Sequence, residues 1–253
     1  MNKINHYSKI IINRIKSFKL TTPTAVLLGS VIIALGILGY GVIITNNSGS
    51  STTANPLTKI LKDLNIKEKN FVSCVNSEEA KNYVASSTED GITAGVNGTP
   101  TTFILKEQNG AQYVVAAIVG AREPQFFQQA IEEALSLKST AKLKRFNGRP
   151  VSSDDLQEVG SPTDVYIVEY SDAECPYCIS LHNTMKQIRN YYAGKVSFVY
   201  RSFPLSFHPH AQREAEMIVC AGKLGGAKTY YGFIDNTFDY KIKNNIGYMQ
   251  LNN

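Results

Sequence analysis

No Asp or Glu precedes Asp63, the 21 residues from Thr24 to Ile44 carry no charge of either sign, and only four cysteines occur in 253 residues. The first shortage leaves Lys3, Lys9, Arg14, Lys16 and Lys19 unopposed. These five account for the whole net charge of +5, since the other 21 cations meet 21 acids. A nucleic-acid-binding fold carries its basic excess as a face or stripe within the fold; here the excess is wholly N-terminal, and that class is set aside. A composition of 43% hydrophobic and 19% charged residues excludes a disordered or fibrous chain as well.

The uncharged run, TAVLLGSVIIALGILGYGVII, has the length of a membrane span, because 21 helical residues cross a hydrocarbon core of roughly 30 Å. With cations and no acids ahead of it, the positive-inside rule predicts a cytoplasmic tail over 1–23, a transmembrane helix over 24–44 and an extracytoplasmic remainder. A signal peptide would share the basic start, but its apolar stretch is usually roughly 7–15 residues and ends at a small-residue cleavage site, which is missing here. An uncleaved anchor is the expectation. Residues 45–56 (TNNSGSSTTANP) are polar and read as a flexible tether, which leaves one domain over 57–253.

In that domain Leu57, Ile60, Leu61 and Leu64 sit at helical spacing and a short helix is expected around Phe71 to Val75. Asn76 or Ser77 then caps a longer helix with Glu78 and Glu79 in its first turn. Thr101 to Leu105, a turn at Asn109-Gly110 and Gln112 to Ile118 predict a β-hairpin. A helix opened by Pro124 follows, with Phe127, Ile131, Ala134 and Leu135 on one stripe. Residues 138–163 show no sustained period and read as a joining linker whose basic cluster is a solvated loop. After it come a buried strand (Val165 to Tyr170), a helix (Cys175 to Tyr192), a strand (Lys195 to Tyr200), a helix opened by Pro209, and an aromatic tail read as helix. The order predicts an α/β domain with a small mixed sheet.

Cys175-Pro176-Tyr177-Cys178 stands where the buried strand gives way to a helix. Pro176 in the first turn puts Cys175 at the helix N-terminus, where unpaired N–H groups favour a thiolate, the species that attacks and leaves in disulfide exchange. Cys178, about one turn on, is then the resolving thiol. A zinc knuckle needs a second close ligand pair, whereas Cys74 and Cys220 are isolated; haem attachment needs His after the second cysteine, where Ile179 stands. A purely structural disulfide remains as the plain alternative, though its loop is too small to stabilise much. His208-Pro209-His210 reads as the opening of a helix, and His182 as an exposed helical residue.

These residues resemble the DsbA-like branch of the thioredoxin superfamily. VYIVEYSDAECPYC is similar to that family's first strand and active-site helix, FVYRSFPLSFHPHA to its next strand and the start of its helical insertion, and GVNGTPTTFIL to its cis-proline loop and following strand. The resemblance implies a thioredoxin-like α/β fold with a helical insertion and a cis bond before Pro100. It also implies a substrate site at Thr99, Pro100, Pro176 and Tyr177, where the Thr99 backbone pairs with the substrate chain. Glu169 becomes the buried acid that accepts the Cys178 proton, a role suited to a carboxyl whose pKa burial raises; a strand-end Glu facing solvent is the alternative. Glu174 departs from the more neutral residues common at its position, and an anion there should disfavour the thiolate and make the disulfide less oxidising. Cys74 and Cys220 lie where some members carry a second disulfide, and a bond between them is expected over two free thiols.

The order of the pieces departs from the family. The cis-proline half (57–137) precedes the CPYC half (164–253), so a circular permutation joined by residues 138–163 is expected. The rivals are remnants of two tandem domains, which predict an unstable protein, and a dimer in which each half completes its partner. The resemblance implies a membrane-anchored extracytoplasmic thiol–disulfide oxidoreductase that oxidises cysteine pairs in secreted proteins and is re-oxidised by a quinone-linked membrane partner. No metal or organic cofactor is suggested. A reductase or isomerase using the same site, and a non-catalytic binding module, are the alternatives.

Overall fold

The computed structural model describes residues 55–247 apart from 154 and 159–162. The expected cytoplasmic tail and transmembrane helix, and the tether up to residue 54, lie outside the described residues. Among the described residues no helix is long and apolar enough to cross a membrane.

Local signals set most element boundaries. The Asn55 side chain accepts a hydrogen bond from the Leu57 N–H (3.0 Å) ahead of α1 (Pro56–Asp63), which buries Leu57, Ile60 and Leu61. After α2 (Glu68–Val75), Ser77 caps α3 (Glu78–Ala94) by accepting from the Ala80 N–H (3.2 Å). The hairpin of β1 (Thr101–Gln108) and β2 (Ala111–Val119) turns on Asn109 and Gly110, both at positive φ (55° and 71°), which matches the twist of the flanking strands. α4 (Pro124–Ser136) buries Phe127, Ala130, Ile131 and Ala134. Then come β3 (Lys144–Arg145), β4 (Gln157–Glu158), β5 (Val165–Ser171), α5 (Pro176–Tyr191), β6 (Ser197–Ser202) and α6 (Ala211–Asn244), the last broken at Gly226 (φ 74°).

The strands form one sheet in the order β3-β2-β1-β5-β6-β4, with β5 and β6 parallel and every other pair antiparallel. Thr101 pairs with Tyr170, so the loop ahead of β1 and the loop after β5 emerge side by side. Strand alternation sorts the core. Ile104 and Ile167 pack with Phe127, Ile131, Leu181 and Met185 under α4 and α5, whereas Phe103, Leu105, Val168 and Tyr170 join Phe146, Val151 and Phe203 in another cluster. Helices α1, α2 and α6 contribute Leu57, Phe71, Phe233 and Phe238 to a further cluster that reaches Cys175 and Cys178. A Cys74–Cys220 disulfide ties α2 to α6.

The joining segment is more structured than a solvated coil. Phe146 and Val151 are buried. The buried Gln112 amide accepts from the Val151 N–H (2.8 Å) and donates to the Val151 carbonyl (3.0 Å). Arg201, also buried, reaches Asp155 (3.1 Å) and Asp90 (2.9 Å). A few apolar side chains and one carboxylate that neutralises a buried guanidinium hold the segment against the sheet, although its sequence has no period.

Candidate active site

Cys175 closes the loop after β5. Its N–H donates to the Asp172 carbonyl (3.1 Å) and its carbonyl accepts the first helical bond of α5, from the Ile179 N–H (3.0 Å), so it is the N-cap and Pro176 the first helical residue. From the neighbouring loop ahead of β1 comes a cis Thr99–Pro100 bond, and the Cys175 thiol donates to the Thr99 carbonyl at 3.5 Å. Cys175 is 3% exposed, Cys178 1% exposed, and both are free thiols, while Tyr177 between them is 68% exposed. Thr99, Pro100, Cys175, Pro176 and Cys178 are thus gathered at one end of the sheet.

The two thiols titrate in opposite directions. Cys175 is lowered to about 5, chiefly by its hydrogen bond with Cys178; burial opposes this, and the Thr99 side chain and the Cys178 and Tyr177 N–H groups add to it. Cys178 rises well above the ordinary thiol range, first because burial penalises its charge and then because Cys175 lies beside it. The Thr99 hydroxyl is enclosed and has no other hydrogen-bond partner, which leaves it free to donate to the Cys175 thiolate. The Glu174 carboxylate, expected to oppose that thiolate, accepts from the His210 N–H (2.7 Å).

Glu169 pairs across the sheet with Thr102 and Tyr200. Together with Cys178, His182, Arg189 and Tyr200 it lines a cavity of about 30 Å³, room for a water molecule. Burial raises its carboxyl pKa against the opposing pull of the Ser171 hydroxyl and Arg189. That combination suits a group that takes and returns a proton close to the Cys178 sulfur.

Residues 43–132, which contain the cis-proline loop, match the DSBA-like thioredoxin domain family, and residues 159–250, which contain both active-site cysteines, match the family described as Thioredoxin. The chain is a DsbA-like member of the thioredoxin superfamily. The DSBA-like match points to a thiol–disulfide oxidoreductase in general. Two sodium/proton antiporters, NhaA 3 of Salinispora tropica and NhaA 1 of Salinispora arenicola, are 36% and 35% identical to the DsbA-like chain over 74 residues. The match takes in 28% of this chain, which spans only 11% of the length of either antiporter.

Three residues of the DsbA-like site escaped the sequence reading. His182 is not exposed: it is 7% accessible and stacked on Phe238 at 4.9 Å, and burial lowers it to about 4. Its position four residues after Cys178 and three before Met185, on the apolar face of α5, was the available signal. His208 does not merely lead into a helix. α6 starts only at Ala211, and the His208 Nδ1–H donates to the Asp172 carboxylate (2.8 Å). Asp172 also accepts from the N–H groups of Glu174 and Leu205, both at 2.8 Å, and its own N–H donates to the Cys178 sulfur at 3.4 Å. Nothing in a linear pattern pairs residues 172 and 208.

Proposed function

We propose that this DsbA-like protein is a membrane-anchored, extracytoplasmic oxidase of cysteine pairs in secreted proteins. The observation that carries the reading is the opposed pair of thiols, Cys175 lowered to about 5 at a helix N-terminus and Cys178 raised and buried. A substrate thiolate attacks the Cys175 sulfur of the Cys175–Cys178 disulfide, and Cys178 leaves and takes up a proton, with Glu169 as its donor. A second substrate thiolate then attacks the substrate sulfur of the mixed disulfide, and Cys175 leaves as a thiolate. The substrate gains a disulfide and the protein becomes a dithiol. A stabilised Cys175 thiolate favours that dithiol form and so makes the disulfide a stronger oxidant. A quinone-linked membrane partner restores the disulfide. Thr99 and Pro100 hold the substrate backbone, with Pro176 and Tyr177 forming the rim.

The uncharged Thr24–Ile44 run behind five cations supports the anchor and the topology. The circular permutation is supported by the chain order of the two matched regions and by a joining segment that pairs with β2 through β3 and with β6 through β4. Alkylation of the reduced protein with iodoacetamide as a function of pH tests the chemistry. Half-maximal reactivity of Cys175 is expected near pH 5; a midpoint near the ordinary thiol value of 9.0 would remove the support. Equilibration with glutathione buffers then separates oxidase from reductase.

A further inference from the structure

Cys178 carries negative charge whenever it attacks or leaves, yet it is 1% exposed. The Asp172 N–H, 3.4 Å from its sulfur, is placed to stabilise that charge. The same residue brings a carboxylate whose side chain is 0% exposed, and a buried carboxylate must be fully hydrogen-bonded to stay where it is. Two of its donors, the Glu174 and Leu205 N–H groups, belong to the backbone; the third is the His208 Nδ1–H. The Phe203 N–H also donates to the Ser171 carbonyl (2.8 Å), so the 203–208 loop grips residues 171 and 172 from both main chain and side chain.

We infer that His208, acting through Asp172, is a positioning residue that holds the Asp172 N–H on Cys178 for the resolving step. The inference rests on the exchange chemistry proposed above. Reduced protein attacks oxidised glutathione through the Cys175 thiolate, releasing one glutathione and leaving a Cys175–glutathione mixed disulfide. Cys178 loses its proton and attacks the Cys175 sulfur, the Cys175–Cys178 bond forms and the second glutathione leaves. His208 serves the second step alone. The groups that stabilise the Cys175 thiolate (Thr99, the Tyr177 and Cys178 N–H groups and the Cys178 thiol) do not include it.

The test uses the full chain in detergent, saturating oxidised glutathione, acid quenching and mass spectrometry to follow both steps. His208→Leu is expected to leave the first step unchanged and to slow the second at least roughly threefold: a hydrogen bond worth about one pKa unit makes the Cys178 thiolate tenfold scarcer, and its higher nucleophilicity returns about threefold. His208→Asn, whose amide nitrogen replaces Nδ1, should restore the rate. Resolution by His208→Leu at the wild-type rate, or His208→Asn as slow as His208→Leu, would overturn the inference. If His208→Leu does not fold, His208→Gln replaces it: resolution slower than in His208→Asn supports the assignment and an equal rate defeats it. A wild-type protein that forms no mixed disulfide at all would instead defeat the exchange chemistry.

Discussion

Cys175 and Cys178 are chemically identical side chains separated by two residues, and their surroundings alone decide which attacks and which resolves. Cys175 is stabilised as a thiolate by the Cys178 thiol first, then by the Thr99 side chain and the N–H groups at the start of α5, whereas Cys178 lies a turn deeper, where burial outweighs the Asp172 N–H. The difference has a consequence for stability. The Cys175 pKa is depressed in the folded protein, from an ordinary 9.0 to about 5, so unfolding takes up a proton across that window. The thiolate's contribution to the reduced protein is therefore complete above about pH 9, declines as pH falls and is lost below about pH 5. Melting temperatures of the reduced protein and of Cys175→Ser should converge as pH is lowered from 9 to 5; a constant difference would contradict the assignment. The CPYC motif made both cysteines legible in the sequence. His182 was misread because one polar residue on an apolar helix face looks like a surface residue until the stacked Phe238 is in view.

At the scale of elements, α3 docks by close approach of its backbone. A Cβ on Gly91 would lie 2.4 Å from the Phe203 ring and 3.1 Å from that of Tyr170. Gly91→Ala should overpack this contact at a cost of about 1–3 kcal/mol, of which the better helix propensity of Ala returns about 1 kcal/mol. Urea denaturation should show a lower midpoint, and an unchanged or raised one would mean that α3 shifts freely. Elements with local punctuation were legible: the Asn109-Gly110 turn, the Ser77 cap, and the prolines that open α4 and α5; Pro56, read as the end of the tether, instead opens α1. The segment between α4 and β5 was not, because its order comes from partners distant in sequence. Gln112 holds Val151, and Arg201 holds Asp155. Neither bond leaves a periodic trace.

For the whole molecule, the Cys74–Cys220 bond spans 146 residues and ties α2 to α6. Cross-linking so distant a pair restricts the unfolded chain, and replacing both cysteines by Ala should cost about 2–5 kcal/mol while leaving Cys175 alkylation unchanged. Melting with and without the bond, alongside the alkylation rate, checks both halves of that expectation. The proposed permutation predicts a monomer, because one chain then supplies β1 and β5 to the same site. Light scattering coupled to size exclusion should give a single-chain protein mass of 27.9 kDa; an obligate dimer would favour two chains completing each other. A chain rejoined in the opposite order, with the CPYC half first, should retain the low Cys175 midpoint.

By itself, the sequence determined what local rules control. Pro176 starts a helix with Cys175 at its cap, Asn109-Gly110 turns a hairpin, and an uncharged run of 21 residues has the length to cross a bilayer. Each of these follows from the dihedral or transfer preferences of residues within a few positions of one another. The family resemblance already set Thr99 opposite the cysteines, but only the tertiary structure decided that its carbonyl, 76 residues away in the chain, accepts from the Cys175 thiol, and that His208 closes on Asp172 beside Cys178. Those meetings depend on the antiparallel register of β1 with β5 and on the packing of the 203–208 loop against the active-site turn. They are cooperative properties of the folded sheet and core, and no stretch of sequence contains both partners.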